Sequence, residues 1–336
     1  MSRLTRRATL GLLASASLGS AVAHLAKAAT PGRNKPVAFE RGDVVVGCTL
    51  LDNPRDDHAG KGRILHYDGA LRLKNTIWID DTTHIVQGTR FDADGTLWAF
   101  DAFAYKIIRF DKRGRRLPNF KAPPRSFAHV SFAPDGRLFM GENFVGEKSR
   151  VPLRTTLPFM PGTERFGDGH LFALNRAGKV LKEYKTRTHG GIGGFQGLTA
   201  SILIDGGKRL IYTSESGPVI FQYDLANDRQ LPDFAFHPDN SGHFYFDLAL
   251  DKSGRLLVVA GSRIEVYELG GRLLKQYPLA GFGWASMSEP VGPAHVLATN
   301  FFSGEITKVD LGSGKAVASA QTGINKSLSG VAEYAS

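Results

Sequence analysis

The chain has one cysteine in 336 residues, Cys48, so no internal disulfide can form and stability must come from a buried core. No Pro- or Ser-rich linker divides it, which argues for one domain. No apolar run reaches the roughly 20 residues that a membrane-spanning helix needs. The formal net charge is +10, yet there is no basic helix and no basic patch interleaved with aromatics. Lysines and arginines are instead scattered through turns such as Asp111-Lys112-Arg113-Gly114-Arg115-Arg116. Nucleic acid is thereby excluded as a partner, and a mild attraction to anionic ligands is the most the charge supports.

What the chain does have begins with a leader. Thr5-Arg6-Arg7-Ala8-Thr9-Leu10 sets paired arginines before an apolar stretch from Leu10 to Leu25, and Ala26-Lys27-Ala28 offers small residues for cleavage. A positive head, a short apolar middle and a small-residue exit make an export signal over residues 1–28. The paired arginines resemble the twin-arginine signal, whose pathway carries folded proteins; the competing reading is an ordinary export signal with a chance Arg pair. Either route predicts a periplasmic or secreted protein with no membrane span after cleavage. Loss of Arg3, Arg6, Arg7 and Lys27 lowers the net charge to +6. Residues 29–42 read as an N-terminal extension. Val45-Val46-Gly47-Cys48 lies too far from the apolar segment to be a lipid-attachment box, and Cys48 fits an alternating strand as a small buried residue.

From residue 43 onward one unit recurs. A short apolar run ends in a turn, and a later run ends in an aromatic or aliphatic residue followed by an acid. Phe91-Asp92-Ala93-Asp94-Gly95-Thr96-Leu97-Trp98 leads to Ile107-Ile108-Arg109-Phe110-Asp111. The same unit returns at Asp135-Gly136, at Asp205-Gly206 with Tyr223-Asp224, and at Ser253-Gly254 with Tyr267-Glu268. A degraded copy ends in Val309-Asp310. Several short alternating strands per unit, joined by Asp-Gly turns, are the pattern of propeller blades. The first unit, from Val44 to Ile79, lacks an innermost strand, and Leu328 to Tyr334 supplies a spare one. Pairing the two closes the ring and removes exposed edges. The expected architecture is therefore an all-β, six-bladed β-propeller over 43–336, closed by the C-terminal strand on the N-terminal blade, with an insertion at about 142–168.

The Asp-Gly, Leu-Trp and Phe-Asp spacing resembles NHL-type repeats. Gln196-Gly197-Leu198 followed by Leu210-Ile211-Tyr212 and Tyr223-Asp224 is similar to the gluconolactonase/senescence-marker-protein (SMP-30-like) family. The resemblance spans nearly all of the chain after the leader and implies a six-bladed propeller. Those families include calcium-dependent lactonases and esterases, lyases and inactive scaffolds, so the fold does not choose among them. Lactonase-like members place Asn or Asp, followed by Asp or Gly, at the starts of innermost strands to hold calcium. Here Ala128-His129, Gln196-Gly197, Phe246-Asp247 and Ser329-Gly330 stand at those places, a departure from the pattern.

Strand alternation puts all the short turns on one face and all the long connections on the other, where sites are built. The long connections are 52–61, 80–87, 101–105, 142–168, 189–196, 237–243 and 282–289. His58, His84, His129, His189, His237 and His243 fall in or beside them. His129, His189 and His243 are the acid/base candidates. Glu142, Asn143, Glu215 and Asp247 could hold a hard divalent cation such as calcium, with Asp52, Asp101 and Asn300 read as strand-end caps. Gln196 and Trp284 should border the substrate. Two functions fit: a hydrolase or lyase acting on a lactone- or ester-like small molecule, or a non-catalytic propeller binding a ligand or a protein at the same face. Gly190-Gly191-Ile192-Gly193-Gly194 precedes no helix, so it is a loop bordering the site rather than a phosphate cradle.

Overall fold

The computed structural model describes residues 35–57, 59–82, 87–153, 157–237 and 244–336. Residues 1–28, expected as a leader, and His58, His84 and His243 lie outside them. The described chain folds into six antiparallel sheets arranged as blades, five of them four-stranded and the one that begins with Ala200–Ile204 five-stranded. The first blade runs, from inside out, Ser329–Glu333, Val44–Leu51, Gly60–Tyr67, Leu73–Trp78. The innermost strands of the next five are Gln87–Phe91, Phe127–Phe132, Ala200–Ile204, Asp247–Leu250 and Trp284–Met287.

Ring closure follows the expected pairing. Val44, Val45 and Val46 lie opposite Glu333, Ala332 and Val331, with a bulge before Gly47 and Ser329. Gly330 within the bulge has φ +54°, and a Cβ there would stand 2.8 Å from the Gly88 nitrogen of the second blade. Only glycine lets the two innermost strands approach so closely.

Alternation along each strand explains the core. Successive side chains of a blade strand point to its two faces, so each blade meets both neighbours with an apolar surface. The result is six apolar layers, one in every gap between blades. Cys48 lies in the layer between the last blade and the first, fully buried, with its thiol pushed up to about 11 by desolvation. The recurring acids cap the short turns. Asp92 Oδ1 accepts from the backbone nitrogens of Asp94 and Thr96, and Asp251 Oδ1 does the same for Ser253 and Arg255. Asp92 Oδ2 also accepts from Trp98 Nε1 at 2.9 Å, which ties the turn to the core.

Part of the extension belongs to the propeller. Phe39 packs on His66, Phe91 and Tyr334, across the first two blades. Behind it Asp43 bonds His66 Nε2 at 2.7 Å and Lys74 Nζ at 2.8 Å. The insertion forms a short hairpin, Val145–Gly146 with Gly167–Asp168. Phe144, Leu157, Phe166, Phe195 and Ala102 make a small core of its own beneath it. The Tyr105 hydroxyl donates to the Phe159 carbonyl at 2.8 Å and pins the insertion over the second blade. Its described residues thus form a rim held by packing and hydrogen bonds.

Candidate functional site

The innermost strands leave a central channel with a cavity of about 280 Å³ running its length. A small residue from five blades, Gly88, Ala128, Ala200, Ala285 and Ser329, lines it and keeps it open. The long-loop mouth is bordered by Phe103, Asn143, Phe195, Gln196, Glu215 and Phe301. Deeper in, Arg90 and Asp247 bring opposite charges, and Asp92, Lys252 and Glu289 stand at the short-turn end.

Asn143 and Asp247 are well placed. Asn143 is 4% exposed, lines the cavity, and its Oδ1 has no hydrogen-bond partner in the protein. Thr89, 3% exposed on the second blade's innermost strand, likewise lines the cavity with an unpartnered Oγ1. Unmatched buried polar atoms cost about 1–3 kcal/mol each, and with His129 Nδ1 and Gln196 Oε1 four such atoms belong to residues lining this cavity, which marks a surface suited to a ligand. Asp247 Oδ1 accepts from the Leu248 nitrogen, and Oδ2 from the Met287 nitrogen of the next blade at 3.0 Å. Burial pushes its pKa up, opposed by the positive charge of Arg90 and by these two bonds. Arg90 is ion-paired with Glu289. Gln196 borders the mouth through a tight turn: its Oε1 and the Glu215 carbonyl both crowd Gly191, which has φ +60° and no room for a Cβ.

Other expectations require correction. His129 lines the cavity, but its Nε2 is turned into the protein and is not free for acid/base work. Alternation in an innermost strand is between the two blade faces, so the ring lies between the third and fourth blades, 3% exposed. Its Nε2 is bonded to Ser201 Oγ at 2.8 Å. Desolvation first, then the charge of Arg90, lowers its pKa to about 3, with a backbone contact to Thr199 opposing. The imidazole is neutral and structural in its contacts. His189 packs against Gly217, away from the cavity lining, and its pKa is lowered by burial and by Arg150. His243 lies outside the described residues. Glu142 is fully buried, and its carboxylate accepts from Arg125 Nη1 at 3.1 Å and from the nitrogens of Asp168 and Gly169. Desolvation raises its pKa against those contacts. It fastens the base of the insertion. Trp284 does not border the cavity: it is 1% exposed in the layer between the last two blades, its Nε1 donating to the Ala280 carbonyl. The connection 282–289 is split by the strand Trp284–Met287, so Glu289 lies at the short-turn end.

Calcium takes six to eight oxygens at 2.3–2.6 Å. With Glu142 held by Arg125 and both Asp247 oxygens accepting backbone N–H groups, Asn143 and Glu215 alone do not make such a set. Among the described residues, one group of three His and carboxylate side chains lies close enough for a metal, Asp168, His170 and Glu183. Asp168 there is already paired with Arg125 and Arg165.

Arg90, Thr89 and the mouth phenylalanines were not singled out from sequence. Their signal is weak, because a threonine and an arginine in a strand and a phenylalanine beside a turn are ordinary blade residues.

The chain matches no family model and no curated protein. Solved structures do resemble it. A chain of a nidogen/laminin complex aligns with a TM-score of 0.60 at 13% identity, over 87% of this chain and 98% of that one. A protein of unknown function from Bacteroides caccae aligns at 0.60 and 14%, over 88% and 100%. A catalytically inactive virginiamycin B lyase from Staphylococcus aureus, solved with quinupristin, aligns at 0.51 and 14%, over 86% and 88%. The likeness establishes the six-bladed propeller fold. The same fold thus serves a lyase and a chain from a protein–protein complex.

Proposed function

We propose that this protein is an exported propeller that binds a small polar organic molecule at the long-loop mouth of its channel. The observation that carries the reading is the Asn143 side-chain amide, buried, lining the cavity and unpartnered at Oδ1. A ligand N–H or O–H donated to it would remove a desolvation cost of about 1–3 kcal/mol. The cavity is of a size for a small molecule, and its wall is partly aromatic, as such sites commonly are. Ligand-observed NMR with a fragment library tests this. Hits on the wild type should lose at least tenfold in affinity with Asn143→Leu, while melting behaviour stays near wild type. Hits that bind both proteins equally would remove the assignment.

Turnover of that molecule, as a hydrolase or lyase on a lactone- or ester-like substrate, is the second reading. Its support is Asp247, a cavity carboxyl whose raised pKa suits a proton donor, together with a fold shared with a lyase. An ester and lactone panel on wild type and Asp247→Asn separates binding from catalysis. The leader supports the twin-arginine route: Arg6→Lys with Arg7→Lys should hold the protein inside the cell, and unchanged export would point to the ordinary route.

A further inference from the structure

Beside the cavity, on the same face, the fifth and sixth blades carry an arc of four phenylalanine rings. Phe244 meets Phe282 edge-on at 5.9 Å, Phe282 stacks with Phe302 at 6.3 Å, and Phe302 meets Phe301 edge-on at 5.3 Å. Phe282 is 49% exposed and Phe302 47%. The inner end of the arc is Phe301, which lines the cavity.

These rings are held in place. Phe282 lies over Gly261, where a Cβ would come within 2.6 Å of the ring, and Phe302 lies over Gly283, where it would come within 2.3 Å. Both glycines have positive φ, +71° and +108°, so each serves the turn and the seat of a ring at once. Asn300 joins the two loops. Its Nδ2 donates to the Phe282 carbonyl at 3.2 Å, and its Oδ1 accepts from the Phe302 and Ser303 nitrogens at 3.0 Å each. The Gly283 and Trp284 nitrogens both donate to the Gly261 carbonyl. Half-exposed rings fixed outward by a hydrogen-bonded web are a prepared contact surface, since ordinary packing would turn them inward.

We infer that this arc receives an aromatic group of the same molecule whose polar end enters the channel, so that the ligand is an aryl-bearing, hydrogen-bonding small molecule. The inference rests on the binding reading above. Its particular support is continuity: Phe301 touches the cavity on one side and Phe302 on the other, so a ligand anchored at the mouth extends directly onto the rings. Offset and edge-on contacts between the ligand's ring and Phe282 and Phe302 supply affinity beyond simple burial.

A graded series of amides tests it. Propanamide, benzamide and 4-phenylbutanamide are titrated by ligand-observed NMR against wild type, Asn143→Leu, and the double variant Phe282→Ala with Phe302→Ala. The expected result is that 4-phenylbutanamide binds wild type about tenfold more tightly than propanamide. The double variant should lose that increment and leave propanamide unchanged, whereas Asn143→Leu should weaken all three. An increment that survives in the double variant overturns the arc while leaving the channel reading in place. If none of the amides binds wild type, or if Asn143→Leu has no effect on any of them, the channel reading falls and the arc with it.

Discussion

At the scale of single residues, burial decides what each polar group does. His129 shows this most clearly. Its neutral ring bridges two blades through Ser201, so His129→Ala should destabilise the fold by about 1–3 kcal/mol, read as a lower urea midpoint. The sign of its pH dependence follows from the lowered pKa. Unfolded, the imidazole takes a proton below about 6.5; folded, it stays neutral down to about 3. The unfolded state therefore binds more protons in that window, and stability falls as pH drops through it. The loss attributable to His129 is about 2 kcal/mol between pH 8 and pH 5. Comparing wild type with His129→Gln by urea titration at both pH values checks this, and equal losses in the two proteins would refute it. Asp92 is a second such residue. Asp92→Ala leaves the buried Trp98 Nε1 without its acceptor, so it should cost about 2 kcal/mol. Asp135→Ala, in a turn where Asp135 bonds only exposed Arg137, should cost under about 1 kcal/mol. Thermal melting of the two variants side by side gives the comparison.

Elements were far more legible than the site. The Asp-Gly turns and alternating runs mark strands because the 2-residue period and the turn chemistry are local properties, written in neighbouring residues. Six blades, the insertion and the closing strand from Ser329 could all be read that way. Which face of a strand a side chain occupies is legible too, but what lies opposite that face is not. For this reason the channel position of His129 is legible but its hydrogen-bond partner Ser201, 72 positions later, is not. Trp284 was lost to the core for the same reason, and Glu142 is paired with an Arg125 that nothing in its surroundings announces. Asn143 and Asp247, expected as cation ligands, both line the channel from strand ends, where geometry leaves few alternatives. The insertion is an element whose role can be tested directly. Arg125→Ala leaves the fully buried Glu142 carboxylate without its cation, so it should destabilise by roughly 3 kcal/mol, and Glu142→Gln in the same background should recover part of the loss.

For the whole molecule, the six apolar layers make each blade depend on both neighbours, and the last strand completes the first blade. Removing residues 329–336 would strip Val331, Ala332 and Tyr334 from two layers and expose the edge of Val44–Leu51. The expected outcome is an aggregated or unfolded protein on size exclusion. A monomer that melts like the full chain would show that the other five blades suffice.

The same closure has a kinetic side. The strand pairing that joins Val46 to Val331 links residues from opposite ends of the chain, so its loop-closure entropy must be met before its contacts give any return. A nascent chain emerging from the ribosome therefore holds a first blade with an unfilled inner position until Ser329–Glu333 has emerged. Completion of the ring therefore waits on that late strand and is slow to form. A circular permutant that joins the two termini and begins in the connection 118–126, between the second and third blades, would leave every blade contiguous and make that pairing local, and should refold faster than the natural order without any change in the ring it forms.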